Sequence, residues 1–580
     1  ERTVVTIDGM RIFSACTDKM DPVTSYVEIS NLSEAEVSSE QQGSCHGNTI
    51  GGTLDLKRNK GNFGTEKWDF SLNSGYESVN QQKIFGGGIK FRNEKIFADT
   101  NFMMRDAENY KAGGNTEVLY SQFKKINFSG TFGFKINEQQ TLESSVIYDK
   151  ATDVGYPALP MDVSLAEAVI ASLRYNYRFD NSIFKNWETK IYFNKITHKM
   201  DDSQRPDVPI RMDMPGWSDT YGFYSRLNLE KKRHNINFNL NGFYNKSLAE
   251  MTMYPNNPAE NPMFMYTWPD VKTLYQGIFV EDEFQLNPHS TFNFSGSLAF
   301  QSNKVESPFG LNSLQIFYPE MSATKNRILK SLSANYKYDK KPFSYGFGIG
   351  YGERAASVTE GYGFYIFNSA ERFDYIGNPN LKNEKSWDAN AFIGMKNDRI
   401  SLKLSSSFFR ISDFIIGEIM PALTPMTIGA RGVKIYKSID YATIFNTALS
   451  SEIKILDNLQ WKSQITYSRG KDNNNGNLPY ISPISVLSSM DWQRNKFSSE
   501  VSVWANSKQQ HFSEQFGESE TAGFAILNAN VGYWLSFAKT KILLKTGVEN
   551  ILDKHYTTYS DWNKIPRPGR NFFLNITAKF

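Results

Sequence analysis

A thiol and a thioether stand four residues apart near the amino end, in Ala15-Cys16-Thr17-Asp18-Lys19-Met20-Asp21-Pro22. On one turn of helix, positions i and i+4 share a face. Asp21-Pro22 ends any such turn, because the residue before a proline is driven out of the α region. Two sulfur donors presented together are soft ligands and select Cu(I) over harder ions. The pair reads as half of a copper site. The same residues also suit the core of a tight turn, since buried free Cys and Met pack well. Asp18, a hard carboxylate donor, reads as solvated rather than as a ligand.

The elements that hold such a site come from the rest of the chain. Its 580 residues are 40% hydrophobic and 14% aromatic, with 43 Phe and 30 Tyr, and mean hydropathy is -0.47. No run approaches the roughly 18 apolar residues of a membrane helix. A transmembrane barrel needs no such run, because lipid-facing and lumen-facing residues alternate. A large soluble β-protein has the same bulk composition. The net charge of +3 and the dispersed cations, with only Lys231-Lys232-Arg233 as a block, give no reason to expect nucleic acid. Two cysteines, Cys16 and Cys45, exclude a disulfide scaffold, although one bridge between them is open in an oxidising compartment. Cys45 reads instead as a free or buried cysteine; a Cys16–Cys45 bridge would abolish the site.

Residues 1–58 form one unit of short strands, Thr3–Gly9, Met10–Phe13, Ser33–Val37 and Thr53–Leu56, with a Gly-rich loop over 43–52 and no long amphipathic helix. From about residue 64 strands follow one another. Phe343, Tyr345, Phe347, Ile349 and Tyr351 alternate with Ser344, Gly346, Gly348 and Gly350, which gives one greasy face and one small or wet face. Tight connections, such as 137–140 and 456–458, are interspersed with long polar ones at 151–168, 199–218, 245–272, 353–372 and 505–523. Short turns on one rim and long loops on the other mark an outer-membrane barrel. The expected fold is therefore an all-β membrane protein, an antiparallel transmembrane barrel of about 22 strands over 59–580. The terminal strand, with Phe572, Leu574, Ile576, Ala578 and Phe580 on one side, ends the chain on an aromatic. An edge strand reads the same way.

Four segments in chain order resemble the TonB-dependent receptor family: Val5-Thr6-Ile7-Asp8-Gly9, Ile50-Gly51-Gly52-Thr53-Leu54-Asp55-Leu56, Gly377-Asn378-Pro379-Asn380-Leu381 through Trp387, and Val548 through Tyr556 followed by Pro568-Gly569-Arg570. The resemblance implies a 22-stranded barrel in the outer membrane of a Gram-negative bacterium. A plug domain would occupy its lumen, formed here by 1–58, and import would be energised by TonB, ExbB and ExbD. The family's TonB box and the first half of its plug have no counterpart in this sequence.

Within that family, Cys16-x-x-x-Met20 with Asp21-Pro22 and Ser25-Tyr26 resembles the OprC/NosA copper-receptor branch, which completes its site with a His-x-Met from the barrel. This sequence has one, Thr197-His198-Lys199-Met200, at the end of a strand through Lys190–Asn194. Residues i and i+2 on a strand point the same way. The implied site is Cys16, Met20, His198 and Met200, holding a copper ion, Cu(I) in preference, as bound substrate. Three Met-x-Met pairs, Met212/Met214, Met251/Met253 and Met263/Met265, fall in the long loops. They read as secondary metal contacts leading inward, or as apolar filling of loops folded over the plug. The segment 153–162 resembles the same branch without assigned chemistry. His46, His234, His289, His511 and His555 lack a paired soft donor and read as structural or surface residues, Cys45-His46 being the one pair that could add a contact.

The expected function is outer-membrane import of copper. Outer-membrane lipid is an expected partner, and an extracellular copper-donor protein or lipoprotein is compatible with the same reading. The alternative cargo is a siderophore, haem or other organometallic ligand, for which Trp217, Tyr221, Tyr266 and Trp268 would supply an aromatic vestibule. The sequence contains no nucleophile elbow or His-Glu-x-x-His, so it is not expected to be an enzyme.

Overall fold

In the computed structural model, residues 2–38, 46–257 and 259–580 are described. Antiparallel strands from Lys67–Glu77 to Asn571–Lys579 close into a 22-stranded barrel. The last strand pairs on one side with Thr540–Glu549 and on the other with Lys67–Glu77, for example Phe573 with Glu77. It closes the barrel rather than forming an edge, so no row of backbone donors is left unpaired there.

Alternation decides which face meets lipid. Along Phe343–Arg354, Phe343, Phe347 and Ile349 are each more than half exposed, whereas Gly346, Gly348 and Gly350 are buried. Among the described residues no helix is long and apolar enough to cross a membrane; the chain crosses with strands.

The N-terminal residues form a four-stranded sheet in the order Met10–Arg11, Val4–Ile7, Thr53–Arg58, Leu32–Ser38. Val4–Ile7 and Thr53–Arg58 run parallel. Asp8 and Gly9, with φ of 51° and 76°, make the tight turn from Val4–Ile7 into Met10–Arg11. Positive φ at both central residues is what an Asp-Gly hairpin supplies. Only short 3-10 turns, Val23–Tyr26 and Ile29–Asn31, interrupt the sheet's connections.

This sheet packs against the inner barrel wall. Ile7, Met10, Ile12, Ala15, Tyr26 and Leu56 share one buried cluster with Ile147, Ala168, Ile170, Tyr192 and Ile196 of the wall. Polar ties set its height. Lys190 Nζ donates to the Asp8 carbonyl at 2.8 Å, Asn194 Nδ2 to the Arg11 carbonyl at 3.1 Å, and Arg2 pairs with Glu384 at 2.6 Å. Each is an inward-facing barrel side chain meeting a polar group of the inner sheet.

Two of the connections predicted as long loops, 199–218 and 245–272, are shorter than expected. Strands Phe184–Asp201, Arg211–Lys231, His234–Tyr254 and Met263–Asn287 extend far beyond a bilayer's needs, leaving only 202–210 and 255–262 between them. The three Met-x-Met pairs therefore lie on strands, not in loops. The polar residues that read as loop are consistent with strand here because ladder pairing continues above the membrane.

Candidate metal centre

The site is built where the segment after Met10–Arg11 crosses the wall strand Phe184–Asp201. Residues 15–20 do not form the helical turn that the spacing suggested. Lys19 adopts a left-handed φ of 59°, and its N–H reaches the Cys16 carbonyl at 3.4 Å. The Met20 N–H then points at Cys16 Sγ, 3.3 Å away.

Gly216 makes the approach feasible. It pairs with His198 across the ladder. A Cβ at that position would lie 2.2 Å from the Ala15 carbonyl oxygen. No side chain fits there, and its absence lets the backbone of Ala15 press against the wall beside His198.

All four sequence-predicted site residues come to this spot. Cys16, Met20 and Met200 belong to one buried cluster, with Cys16 Sγ and Met200 Sδ 3.9 Å apart. His198 is 1% exposed, and neither of its ring nitrogens has a hydrogen-bond partner. Its Nδ1 lies 3.8 Å from Asp21 Oδ2, beyond hydrogen-bond reach, while Tyr26 Oη donates to that same oxygen at 2.6 Å. A buried imidazole without a partner costs free energy on the order of 1–3 kcal/mol. A metal ion is one partner that would satisfy it. Cys16 is a free, buried cysteine. Cys45 lies outside the described residues.

The donors here are one thiol, one imidazole and two thioethers. Among the described residues no group of three His, Cys, Asp or Glu stands together as a metal cage. A soft site of this kind depends instead on methionine sulfur, which hard ions ignore. Asp18, expected to be solvated, is instead half-buried beside Met161 and Met200. Burial pushes its carboxyl up to about 6, with the Thr17 hydroxyl and the His198 charge acting in the opposite direction.

The six methionines of the Met-x-Met pairs continue the site along the inner face. Met200 stands opposite Met214, Met212 opposite Met253, Met251 opposite Met265, and Met253 opposite Met263. Directly opposed residues share a face, so this ladder of thioethers faces the same side as His198 and Met200. A cavity of about 80 Å³ lies along it, lined by Asp18, Met161, Met200, Met212, Met214 and Met251.

Met161 was not predicted. It is buried against Cys16, Met20 and Met200. Its loop is held by Arg205, which is bidentate to Asp162 at 2.6 and 2.8 Å and also donates to the Met161 carbonyl at 3.2 Å. The family-like segment 153–162 was the only signal for it. Gly216 and Asp21 were also missed as site residues, since a glycine's close approach and a carboxylate's position carry no spacing pattern.

The remaining histidines stand elsewhere. His46 sits by Arg226, with Nδ1 3.5 Å from its guanidinium, and burial together with that charge lowers its pKa to about 4. Of the four aromatics expected to form a vestibule, Trp217 and Tyr221 alternate with the inward Gly216, Ser218 and Thr220 and face outward, Tyr221 being 56% exposed. Trp268 is buried, donating to Thr359.

Residues 113–551 match the family description "TonB dependent receptor-like, beta-barrel". A search of curated protein sequences found no match. Among solved structures, that of the copper transporter OprC superposes with a TM-score of 0.88 at 18% identity, covering 100% of this chain and 93% of that one. The siderophore receptor PirA from Acinetobacter baumannii gives 0.73 at 13% identity, covering 100% and 90%. The FrpB iron transporter from Neisseria meningitidis gives 0.71 at 14%, covering 100% and 92%. At these identities the likeness is one of fold.

Proposed function

The chain belongs to the TonB-dependent receptor family, and from that membership we propose that it imports copper, bound as Cu(I) by Cys16, Met20, His198 and Met200. Proteins of this family are transporters, not enzymes, reside in the Gram-negative outer membrane and work with the TonB–ExbB–ExbD complex. Residues 1–58 serve as the plug and 59–580 as the barrel that surrounds it.

The observation that carries the reading is the convergence of Cys16 and Met20 from the inner sheet with Met200 from the wall, beside a buried His198 that faces Asp21 at 3.8 Å and lies within the electrostatic reach of Cys16. Sulfur and imidazole donors of this kind hold Cu(I) well and Mg²⁺ or Ca²⁺ poorly. The methionine ladder leads to that point and supplies weak secondary contacts from Met212, Met214, Met251, Met253, Met263 and Met265. The likeness in fold to the copper transporter OprC supports the same cargo.

Siderophore and iron receptors share the fold. An organometallic cargo would want a roomy aromatic vestibule, and of the four aromatics named for one Trp217 and Tyr221 face outward.

The test is elemental analysis and anomalous diffraction at the copper edge on protein purified from copper-supplemented cells. About one copper per chain is expected, sited between Cys16 and Met200 and lost in the Cys16→Ala, Met200→Ala double variant. Copper-free wild-type protein, or unchanged copper in the double variant, overturns the reading.

A further inference from the structure

The inner sheet and the barrel wall enclose a chamber of about 370 Å³ that borders Cys16 and runs past Arg11 to Arg2. Its charged lining is all cationic: Arg2, Arg11, Lys19 and Arg354, with no Asp or Glu among the described residues that face it. Two of these cations are neutralised from outside the chamber. Arg2 pairs with Glu384 at 2.6 Å, and Arg354 pairs with Glu360 at 2.7 Å and with Glu384 at 2.5 Å.

Arg11 is not neutralised. Among the described residues its guanidinium has no carboxylate and no hydrogen-bond acceptor. Its electrostatic neighbours are the phenols of Tyr275 and Tyr192, and its Cζ lies 5.1 Å from the Phe13 ring centroid and 5.8 Å from that of Phe243. Aromatic faces offset part of the charge. Arg11 is half-buried, and a partly desolvated cation without a counter-charge is costly.

Asn48 brings a second idle donor to the same chamber. Its Oδ1 accepts from Tyr275 Oη at 2.9 Å and from Ser297 Oγ at 3.4 Å, while its backbone N–H donates to the Tyr275 oxygen at 3.1 Å. These partners fix the orientation of the amide, because only the oxygen side can accept. Nδ2 is left buried without an acceptor. Gly47 locates the guanidinium relative to Tyr275, the phenol that orients the Asn48 amide. A Cβ built there would stand 3.4 Å from Arg11 Nη1 and 3.8 Å from Tyr275 Oη. The guanidinium and the phenol that orients Asn48 thus flank one residue.

We propose that the chamber binds a small monovalent anion of halide class between the Arg11 guanidinium and Asn48 Nδ2. The anion completes both donors and cancels the chamber's charge. The site itself stands on this geometry. Its part in transport rests on the copper reading: Cu(I) prefers soft ligands and the heavier halides are of that kind, so an anion held next to Cys16 offers the departing ion both a ligand and a counter-charge beside the guanidinium.

Crystals of the protein soaked in sodium bromide and measured at the bromine edge test this. One bromide peak is expected in the chamber between Arg11 and Asn48, absent in Arg11→Gln and weaker in Asn48→Ala. No peak in the chamber, or a peak of equal height in Arg11→Gln, overturns the proposal. Heat-dependent gel mobility reports whether each variant retains a folded barrel. Should Arg11→Gln fail to fold, Arg11→Lys replaces it: a bromide peak reduced in height supports the site, and an unaltered one refutes it. Cys16→Ala is expected to keep the bromide while losing copper, so a failure of the metal assignment and a failure of the anion site give different results.

Discussion

Cys16 Sγ and Met200 Sδ lie 3.9 Å apart, buried, although 184 residues separate them in the chain. One comes from a turn after the inner sheet's hairpin and the other from the upper end of a wall strand. Neither element could present both sulfurs by itself, so any ion held between them reports on how the inner sheet is docked.

Replacing Cys16 by Ser keeps the volume and removes the soft donor. Copper affinity is expected to fall by more than about 100-fold, the upper end of what even outer-sphere changes cost at metal sites. His198→Ala should act similarly, and Asp18→Asn should leave copper stoichiometry unchanged. Competition with a Cu(I) chelator under reducing conditions measures all three; tight copper binding by the Cys16→Ser protein would remove Cys16 from the site.

Gly216→Ala puts a methyl group where the Ala15 carbonyl oxygen now sits, at 2.2 Å. The 15–20 segment must retreat from the wall, separating Cys16 from Met200. We expect copper affinity to drop by at least about tenfold with the barrel intact by heat-dependent mobility. Gly130→Ala, on another wall strand where an added Cβ would meet nothing nearer than 3.7 Å, serves as the control for a generic Gly→Ala effect. Wild-type affinity in Gly216→Ala would mean that the close approach is not needed.

Met251→Leu with Met265→Leu preserves volume in the thioether ladder, at a stability cost of less than about 1.5 kcal/mol. Equilibrium copper content of the purified protein should not change, while uptake by whole cells at limiting copper should slow several-fold. Unaltered uptake would assign the ladder to packing alone.

Asp8 couples the inner sheet to acid. Burial acts to raise its pKa, but Arg58, Lys60 and Lys190 outweigh that and hold it below the ordinary value of 3.8. A depressed carboxyl stabilises the docked sheet above its unfolded pKa, and that contribution disappears as pH falls through the folded value. The contribution of Asp8 to docking should thus be constant from pH 7 down to about 4 and fall below it. Hydrogen exchange of residues 4–11 at pH 6 and at pH 3 reads this out, and Asp8→Asn should flatten the difference.

Much of this protein was legible without coordinates. Period-2 alternation in stretches such as Phe343–Tyr351 determined a barrel, because a strand with lipid on one side and lumen on the other has no other pattern to adopt. The Asp8-Gly9 turn, the closing aromatic strand and the family-like segments set the order of its parts. The soft character of Cys16, Met20, His198 and Met200 was likewise a property of residue type.

What only the tertiary structure decided were relations across the lumen and across strands. Local spacing suggested a helical turn for Cys16–Met20, but pressing that segment against Gly216 imposed a turn with Lys19 at positive φ. Polar composition suggested loops around the Met-x-Met pairs, whereas ladder pairing carried the strands through them and set Met200 against Met214 and Met251 against Met265. Gly216, and Arg11 with no carboxylate partner among the described residues, had no sequence signature, and Met161 had only the family-like segment 153–162, since burial, close approach and lack of a counter-charge are properties of what surrounds a residue. Sequence encodes the chemistry of each donor and the period of each strand; distance between donors arises only when the sheet closes around them.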